Sequence, residues 1–286
     1  MVKKSKKGIS RELGLEVGSI CGQYFLKLEH LHYGYWTGDI EIDIANLHIA
    51  QDEYAKFVIS HIPDGVKSIL DVGCGTGQIA KKLLDMGYQV DCVSPCPFLK
   101  KRASELLGNR SYVFECFYEN LQTVNRYDMV LFCESFQYID MEQALSKTDK
   151  FLNSGGYLLV CDIFRKDVLD KAFMGGGHSL TRFYNLIAKS SFRLIENVDI
   201  TEQTAPNMDL LDDVMESVVR PVVSAGVRFF ESRNPITLKL LRWKYRKKIN
   251  KAHKKYLKGH KTGENFKKYK SYQLFLYKRD AQASSC

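Results

Sequence analysis

Nowhere in this 286-residue chain do apolar residues run for the roughly eighteen positions that a membrane-crossing helix needs. The basic start, MVKKSKKGISREL, has no apolar stretch behind its lysines. That excludes a secretory signal and predicts a solvated, irregular beginning. The eight cysteines, at 21, 74, 92, 96, 116, 133, 161 and 286, include no C-x-x-C pair. The spacing of a zinc site is therefore missing, and no metal is expected. Cys92, Cys116, Cys133 and Cys161 fall inside strand-like apolar runs, where buried, reduced thiols of a cytoplasmic protein are expected. Internal repeats are absent, and the only biased tract is rich in lysine.

That tract dominates the charge. Residues 239–279 hold sixteen Lys/Arg and one Glu, a net +15 set against −6 for the rest, within a chain of +9. Such a segment suits an anionic partner: a membrane surface, an acidic acyl-carrier protein or a nucleic acid. A solvated charged helix face is the plainer reading. The length and the 45% hydrophobic content fit one full α/β domain with an embellishment.

Ser68-Ile69-Leu70-Asp71-Val72-Gly73-Cys74-Gly75-Thr76-Gly77-Gln78 reads as a buried strand, a glycine-rich turn and the start of a helix. The glycines remove Cβ atoms where a ligand approaches the backbone, and the helix over 78–85 aims its free N–H groups at it. Glycines at 73, 75 and 77 do not meet the dinucleotide spacing G-x-G-x-x-G. The whole segment resembles the first motif of class I S-adenosylmethionine (SAM) dependent methyltransferases. The resemblance implies that Gly73, Cys74, Gly75, Gly77 and Gln78 wrap the methionine half of SAM, with Asp71 holding its amino group.

Downstream, strand and helix signals alternate: strands at 88–93, 112–117, 127–133 and 156–161, helices at 98–107, 141–152 and 180–190. This builds a parallel sheet with helices on both faces. Further strands at 192–200 and 271–277 would form an antiparallel hairpin, giving the seven-stranded, Rossmann-like α/β sheet of the class I methyltransferase fold. The seventy residues between them are too many for a structureless loop. They are read as a helical, lysine-rich cap over the substrate mouth, residues 203–269. The core domain is then 46–202 plus 270–280, preceded by a basic and aromatic lid segment, 1–45.

In a parallel sheet ligands sit at the C-terminal strand ends. After the second strand, Ser94 of Ser94-Pro95-Cys96-Pro97 stands where the family carries an acid for the ribose; sterol and cyclopropane-lipid methyltransferases often lack that acid too. Phe117 and Tyr118 are expected along the adenine. Cys133-Glu134-Ser135-Phe136-Gln137-Tyr138-Ile139 resembles the L-E-S-x-H-H-M segment of natural-product methyltransferases. Glu134 is expected at the cofactor; Gln137 and Tyr138 replace the two histidines and are catalytic candidates, Tyr138 to position a substrate, since a phenol with a pKa of about 10 is a weak base at neutral pH. Asp162 matches an acid used in catalysis by the same relatives. His178, in Gly175-Gly176-Gly177-His178, is a candidate base on a loop. His32-Tyr33-Gly34-Tyr35-Trp36 is similar to an H-x-G-Y-W lid segment that puts Tyr33 and Trp36 over SAM. The plainer alternative makes Tyr33, Trp36, Phe136 and Tyr138 packing aromatics and Asp162 a helix or loop cap.

No N/D-P-P-Y/F follows the fourth strand and no Asp-Asn magnesium pair follows the fifth, which argues against nucleic-acid amino-group and catechol-type methylation. The expected function is SAM-dependent O- or C-methylation of a small-molecule or lipid-like acceptor. The expected location is cytoplasmic, with peripheral contact to a membrane. The alternatives are an RNA methyltransferase gripping phosphates through 239–279, a non-catalytic SAM-binding partner subunit, and cyclopropane formation on lipids.

Overall fold

The computed structural model describes residues 6–168, 175–256 and 262–280. Cys286 and the first five residues of the basic start lie outside them. In chain order the first half runs α1 (Lys6–Leu26), α2 (Leu47–Ser60), β1 (Ser68–Val72), α3 (Gln78–Asp85), β2 (Gln89–Val93), α4 (Pro97–Leu107), β3 (Val113–Phe114) and β4 (Tyr127–Cys133). The second half continues with α5 (Met141–Phe151), β5 (Leu152–Arg165), β6 (His178–Ser179), α6 (Leu180–Ile187) and β7 (Phe192–Asp199). Five helices follow: α7 (Thr201–Thr204), α8 (Pro206–Val214), α9 (Arg220–Arg233), α10 (Pro235–Tyr256) and α11 (Gly263–Tyr269). The strand β8 (Lys270–Arg279) ends the series.

The sheet order is β3-β2-β1-β4-β5-β8-β7. The first five strands pair in parallel, and β8 enters antiparallel between β5 and β7. Seven strands lie on this path as expected; the two-residue β6 beside β5 is an addition. The central strands are almost unbroken apolar runs because helices cover both faces. Alternate residues feed two cores. Ile69, Met129, Leu131 and Leu159 pack with Tyr54, Ala80 and Leu83 on one face. Leu70, Val130, Phe132 and Leu158 pack with Leu145, Phe183 and Phe275 on the other.

Three differences from the sequence reading bear on the site. The solvated start is a helix, α1, over every described residue from 6. The third strand is two residues long, and the chain then curls into a 3-10 turn at Tyr118–Asn120. The fifth strand is fourteen residues rather than six. The stretch between β7 and β8 is mainly helical, as expected, with one π turn, Met215–Val219, joining α8 to α9. Its α8 and α11 pack together at the base, where the Gly263 N–H donates to Asp209 Oδ1 at 2.9 Å. The α9 helix has no buried residue.

Candidate active site

The sheet reverses its winding between β1 and β4, and a crevice opens at the C-terminal ends of the flanking strands, as the topology requires. A cavity of about 440 Å³ fills it. Its walls come from the glycine loop, the ends of β2 and β4, the turn after β3, the segment 30–32 and Gly14 and Leu15 of α1.

Each loop glycine answers a different neighbour. A Cβ on Gly73 would run into Ser135 Cβ, and the Ser135 hydroxyl donates to the Val72 carbonyl. A Cβ on Gly77 would lie 3.2 Å from Ala103 of α4, so Gly77 lets two helices close up. At Gly75, with φ of +57°, a Cβ would meet only Leu31 Cδ1 at 3.9 Å. Gly75 is therefore the glycine whose open side belongs to the cavity. Thr76 Oγ1 donates to the Glu29 carbonyl at 2.6 Å, tying the loop to the chain entering 30–32.

Two acids face this space, Asp71 buried and Glu134 half-buried. Asp71 Oδ2 has no hydrogen-bond partner in the protein, and burial pushes the carboxyl up to about 7. Glu134 sits at the end of β4 in the left-handed region, φ +52°, where a non-glycine residue stays only when its surroundings hold it. Here Glu134 Oε1 accepts from the Tyr33 N–H at 2.6 Å and from the Tyr272 hydroxyl at 2.7 Å. Its own N–H donates to the Cys161 carbonyl at 2.9 Å. Burial raises this carboxyl to about 8, against the pull of those hydrogen bonds. Two more acceptors lack partners on the same walls: Glu119 Oε2 and His32 Nε2. His32 Nδ1 lies 2.8 Å from the Tyr33 carbonyl and so carries the proton, leaving Nε2 as a bare lone pair. Burial drives this imidazole down to about 3, so it stays neutral.

Of the sequence-derived cofactor residues, Asp71, Gly73, Cys74, Gly75, Gln78, Ser94, Phe117, Tyr118 and Glu134 line the cavity. Gly77, Tyr33 and Trp36 do not. Tyr33 turns away, packing near Phe266 and Tyr272. Trp36 is buried. The lid segment instead presents Leu31 and His32. It is fixed from behind by Asn207 of α8, which accepts from the Gly34 N–H at 2.8 Å and donates to the Gly34 carbonyl at 2.7 Å. A Cβ on Gly34 would stand 2.6 Å from Ala50 Cβ. Gly34→Ala should therefore lower the unfolding free energy by about 1–3 kcal/mol in a denaturant titration. An unchanged midpoint would mean that α2 and α8 give way easily.

Among the four catalytic candidates, Tyr138 alone lines the cavity. Asp162 is fully buried, its carboxylate accepting from Gln137 N at 2.9 Å, Gln137 Nε2 at 2.9 Å and Ile163 N at 2.7 Å. Its pKa is pushed up to about 7 by burial. His178 Nε2 lies 3.1 Å from the Phe136 carbonyl and 2.8 Å from that of Ile139. Two carbonyls require Nε2 to donate, so that nitrogen has no lone pair to offer as a base. Asp162, Gln137 and His178 together brace the turn that carries Tyr138.

The segment expected as a cap adds no described residue to the cavity wall, whereas Gly14 and Leu15 line it. The sequence reading counted α1 within the lid segment 1–45 but named none of its residues as a site residue, although Gly14, Gly18 and Gly22 recur every four residues, the spacing of a small-residue face. It also passed over Glu119 and Tyr272, which belong to no recognisable motif, and over His32, whose lid motif pointed to Tyr33 and Trp36 instead.

Comparison with known proteins matches residues 70–160 to the methyltransferase domain family model. An uncharacterized methyltransferase of Alkaliphilus oremlandii is 25% identical over 143 residues, 46% of this chain and 63% of its own length. A protein of Geobacillus sp. strain WCH70 named "putative methyltransferase" is 31% identical over 117 residues, 38% of this chain and 47% of its own. The chain thus spans less than two thirds of the length of these relatives. Among solved structures, the [4+2]-cyclase SpnF aligns with a TM-score of 0.66 at 15% identity, covering 98% of both chains. Geranyl diphosphate C-methyltransferase of Streptomyces coelicolor A3(2), solved with Mg²⁺, geranyl-S-thiolodiphosphate and S-adenosyl-L-homocysteine, aligns at 0.63 and 17%, covering 93% of this chain and 91% of that one. The match over 70–160 falls on the glycine loop and the strands that frame the cavity: this segment is similar to the methyltransferase domain family, and the chain has the class I methyltransferase fold that it shares with these neighbours.

Proposed function

We propose that this chain is a SAM-dependent methyltransferase acting on an oxygen or carbon of a small molecule with an apolar body. The observation that carries the reading is the set of buried acceptors without partners, Asp71 Oδ2, Glu119 Oε2 and His32 Nε2, around one cavity. Each costs about 1–3 kcal/mol while unmade. A ligand rich in donors, with an ammonium, ribose hydroxyls and an adenine amine, relieves all three. SAM has these groups, and when bound it supplies a methyl group on a positively charged sulfur. The ammonium would sit at Asp71 beside the open face of Gly75. The purine would lie along Phe117 and Tyr118, and Glu119 stands by to take over from the ribose acid that Ser94 replaces. Leu15, Leu31, Leu99 and Ile139 supply the apolar remainder of the wall.

In this reading Tyr138 orients the acceptor, and Asp162 acts through Gln137 as a positioning residue. Asp162→Ala would strand the Gln137 N–H and loosen the turn. It should cut turnover at least about tenfold while SAM affinity, measured by calorimetry, stays within about twofold, with a stability loss of about 1–3 kcal/mol. Unchanged turnover would make Asp162 a residue of the fold alone.

A neighbour of this fold solved as a cyclase favours a second reading, in which the cavity serves a reaction other than methyl transfer. One experiment separates the two. SAM binding is titrated first, and methyl-labelled SAM is then offered with lipid, small-molecule, RNA and protein fractions. Label in the small-molecule or lipid fraction supports the proposal. Label in RNA replaces the substrate class, and binding without any transfer favours the second reading. Absence of SAM binding overturns both the cofactor and the activity.

A further inference from the structure

We infer that the α9–α10 hairpin is a docking surface for an anionic lipid bilayer. Ile236, Leu240 and Trp243 follow one another at i, i+4 and i+7 along α10, on a single face. They are exposed by 75%, 61% and 71%. Leu238, Leu241 and Tyr245 form the other strip of the same helix and are more covered. On α9, Val222, Phe229 and Phe230 are also more than half exposed. Contiguous apolar surface of this kind marks a place where something binds.

Charge selects the occupant. Between Arg220 and Lys247 stand eight Lys/Arg and one Glu. That one, Glu231, is taken by Arg242 at 3.0 Å. Lys239, Arg246 and Lys247 flank the Ile236–Trp243 strip and are exposed. A second copy of the chain would bring the same positive charge against itself. A nucleic acid would answer the cations but leave isoleucine, leucine and valine without partners. An acidic bilayer answers both: aliphatic side chains enter the headgroup boundary, Trp243 sits at the interface, and the cations meet phosphates. No described helix is long and apolar enough to cross a membrane, so the hairpin would lie on the bilayer rather than span it. No described part of it lines the cavity, so the inference does not rest on the cofactor reading.

The test uses the full chain with vesicles of phosphatidylcholine alone or mixed with phosphatidylserine. Trp243 is one of only two tryptophans, and the other, Trp36, is already buried. Binding should therefore blue-shift the emission. Sedimentation with phosphatidylserine vesicles at low salt, that blue shift, and weak binding to phosphatidylcholine are expected. Two surface variants separate the contributions, with circular dichroism confirming their fold. Lys239→Glu/Arg246→Glu/Lys247→Glu should weaken binding on the order of a hundredfold. Ile236→Ser/Leu240→Ser should weaken it at least about tenfold. No vesicle binding at low salt overturns the inference. Binding untouched by the Ile236/Leu240 variant, or RNA binding or a dimer without vesicle binding, overturns it too.

Discussion

Replacing Asp71 with asparagine should make the ligand-free protein more stable and nearly blind to SAM. The carboxyl is buried, has an orphaned oxygen and holds its proton up to about 7. Below about pH 4 the native and unfolded chains are both protonated there, and Asp71 contributes nothing to the pH dependence. Between about 4 and 7 the unfolded chain gives up the proton and the native one keeps it, so stability falls as pH rises. Above about 7 the native protein carries a buried, unpaired charge. An asparagine amide has the same shape as the carboxylate and no charge. Asp71→Asn should therefore raise the unfolding free energy at about pH 8 by roughly 2–4 kcal/mol, a gain that shrinks toward zero near pH 4. The same change should weaken SAM binding on the order of a hundredfold, through loss of a buried charge-assisted contact. Chemical denaturation across this pH range and calorimetry with SAM would check both halves. A stability gain independent of pH, or unaltered affinity, would remove Asp71 from the site.

Gly75→Val should abolish SAM binding altogether. Its side chain would meet little of the protein and grow into the cavity. Because φ there is +57°, valine also carries a backbone penalty of about 1–2 kcal/mol. Gly87 supplies the control, since its φ is +94° and a Cβ there meets nothing within 4 Å. Gly87→Val should lose comparable stability and bind SAM as the parent does. If both variants bind SAM normally, the space beside Gly75 is not where the cofactor lies. If both fail, the strain rather than the cavity is responsible.

What the sequence disclosed follows the range of the forces involved. The glycine loop, the apolar strands β1 and β4 and the helix α3 are local patterns, and they were legible to within a residue or two. So was the need for helices between β7 and β8. The placement of those helices was not, because Asn207 meets Gly34 across 173 positions, and nothing in either neighbourhood announces the other. Tyr33 and Trp36 carried a lid motif, yet backbone bonds to Asn207 and Gln203 set which residues of that segment face inward. Asp162 read as an acid near the chemistry. Its three donors are backbone and amide groups, whose geometry exists only after the turn at 134–139 has formed. The α1 helix was missed for the opposite reason: its lysines suggested solvent, and its glycines look neutral in isolation.

The position of β8 has a consequence for the order in which the protein assembles as it is made. The strand lies between β5 and β7, and its Tyr272 supports Glu134 under the cavity. Until it emerges, β5 is an open edge and β7 has no partner. About seventy residues separate β7 from β8, and at typical elongation rates of about 5–20 residues per second that interval lasts on the order of ten seconds. During it a nascent chain already holds β1 to β5 and the glycine loop while the wall beneath Glu134 is missing. This is a window in which an unpaired β5 edge is open to another strand, and in which a chaperone covering that edge would have its greatest effect.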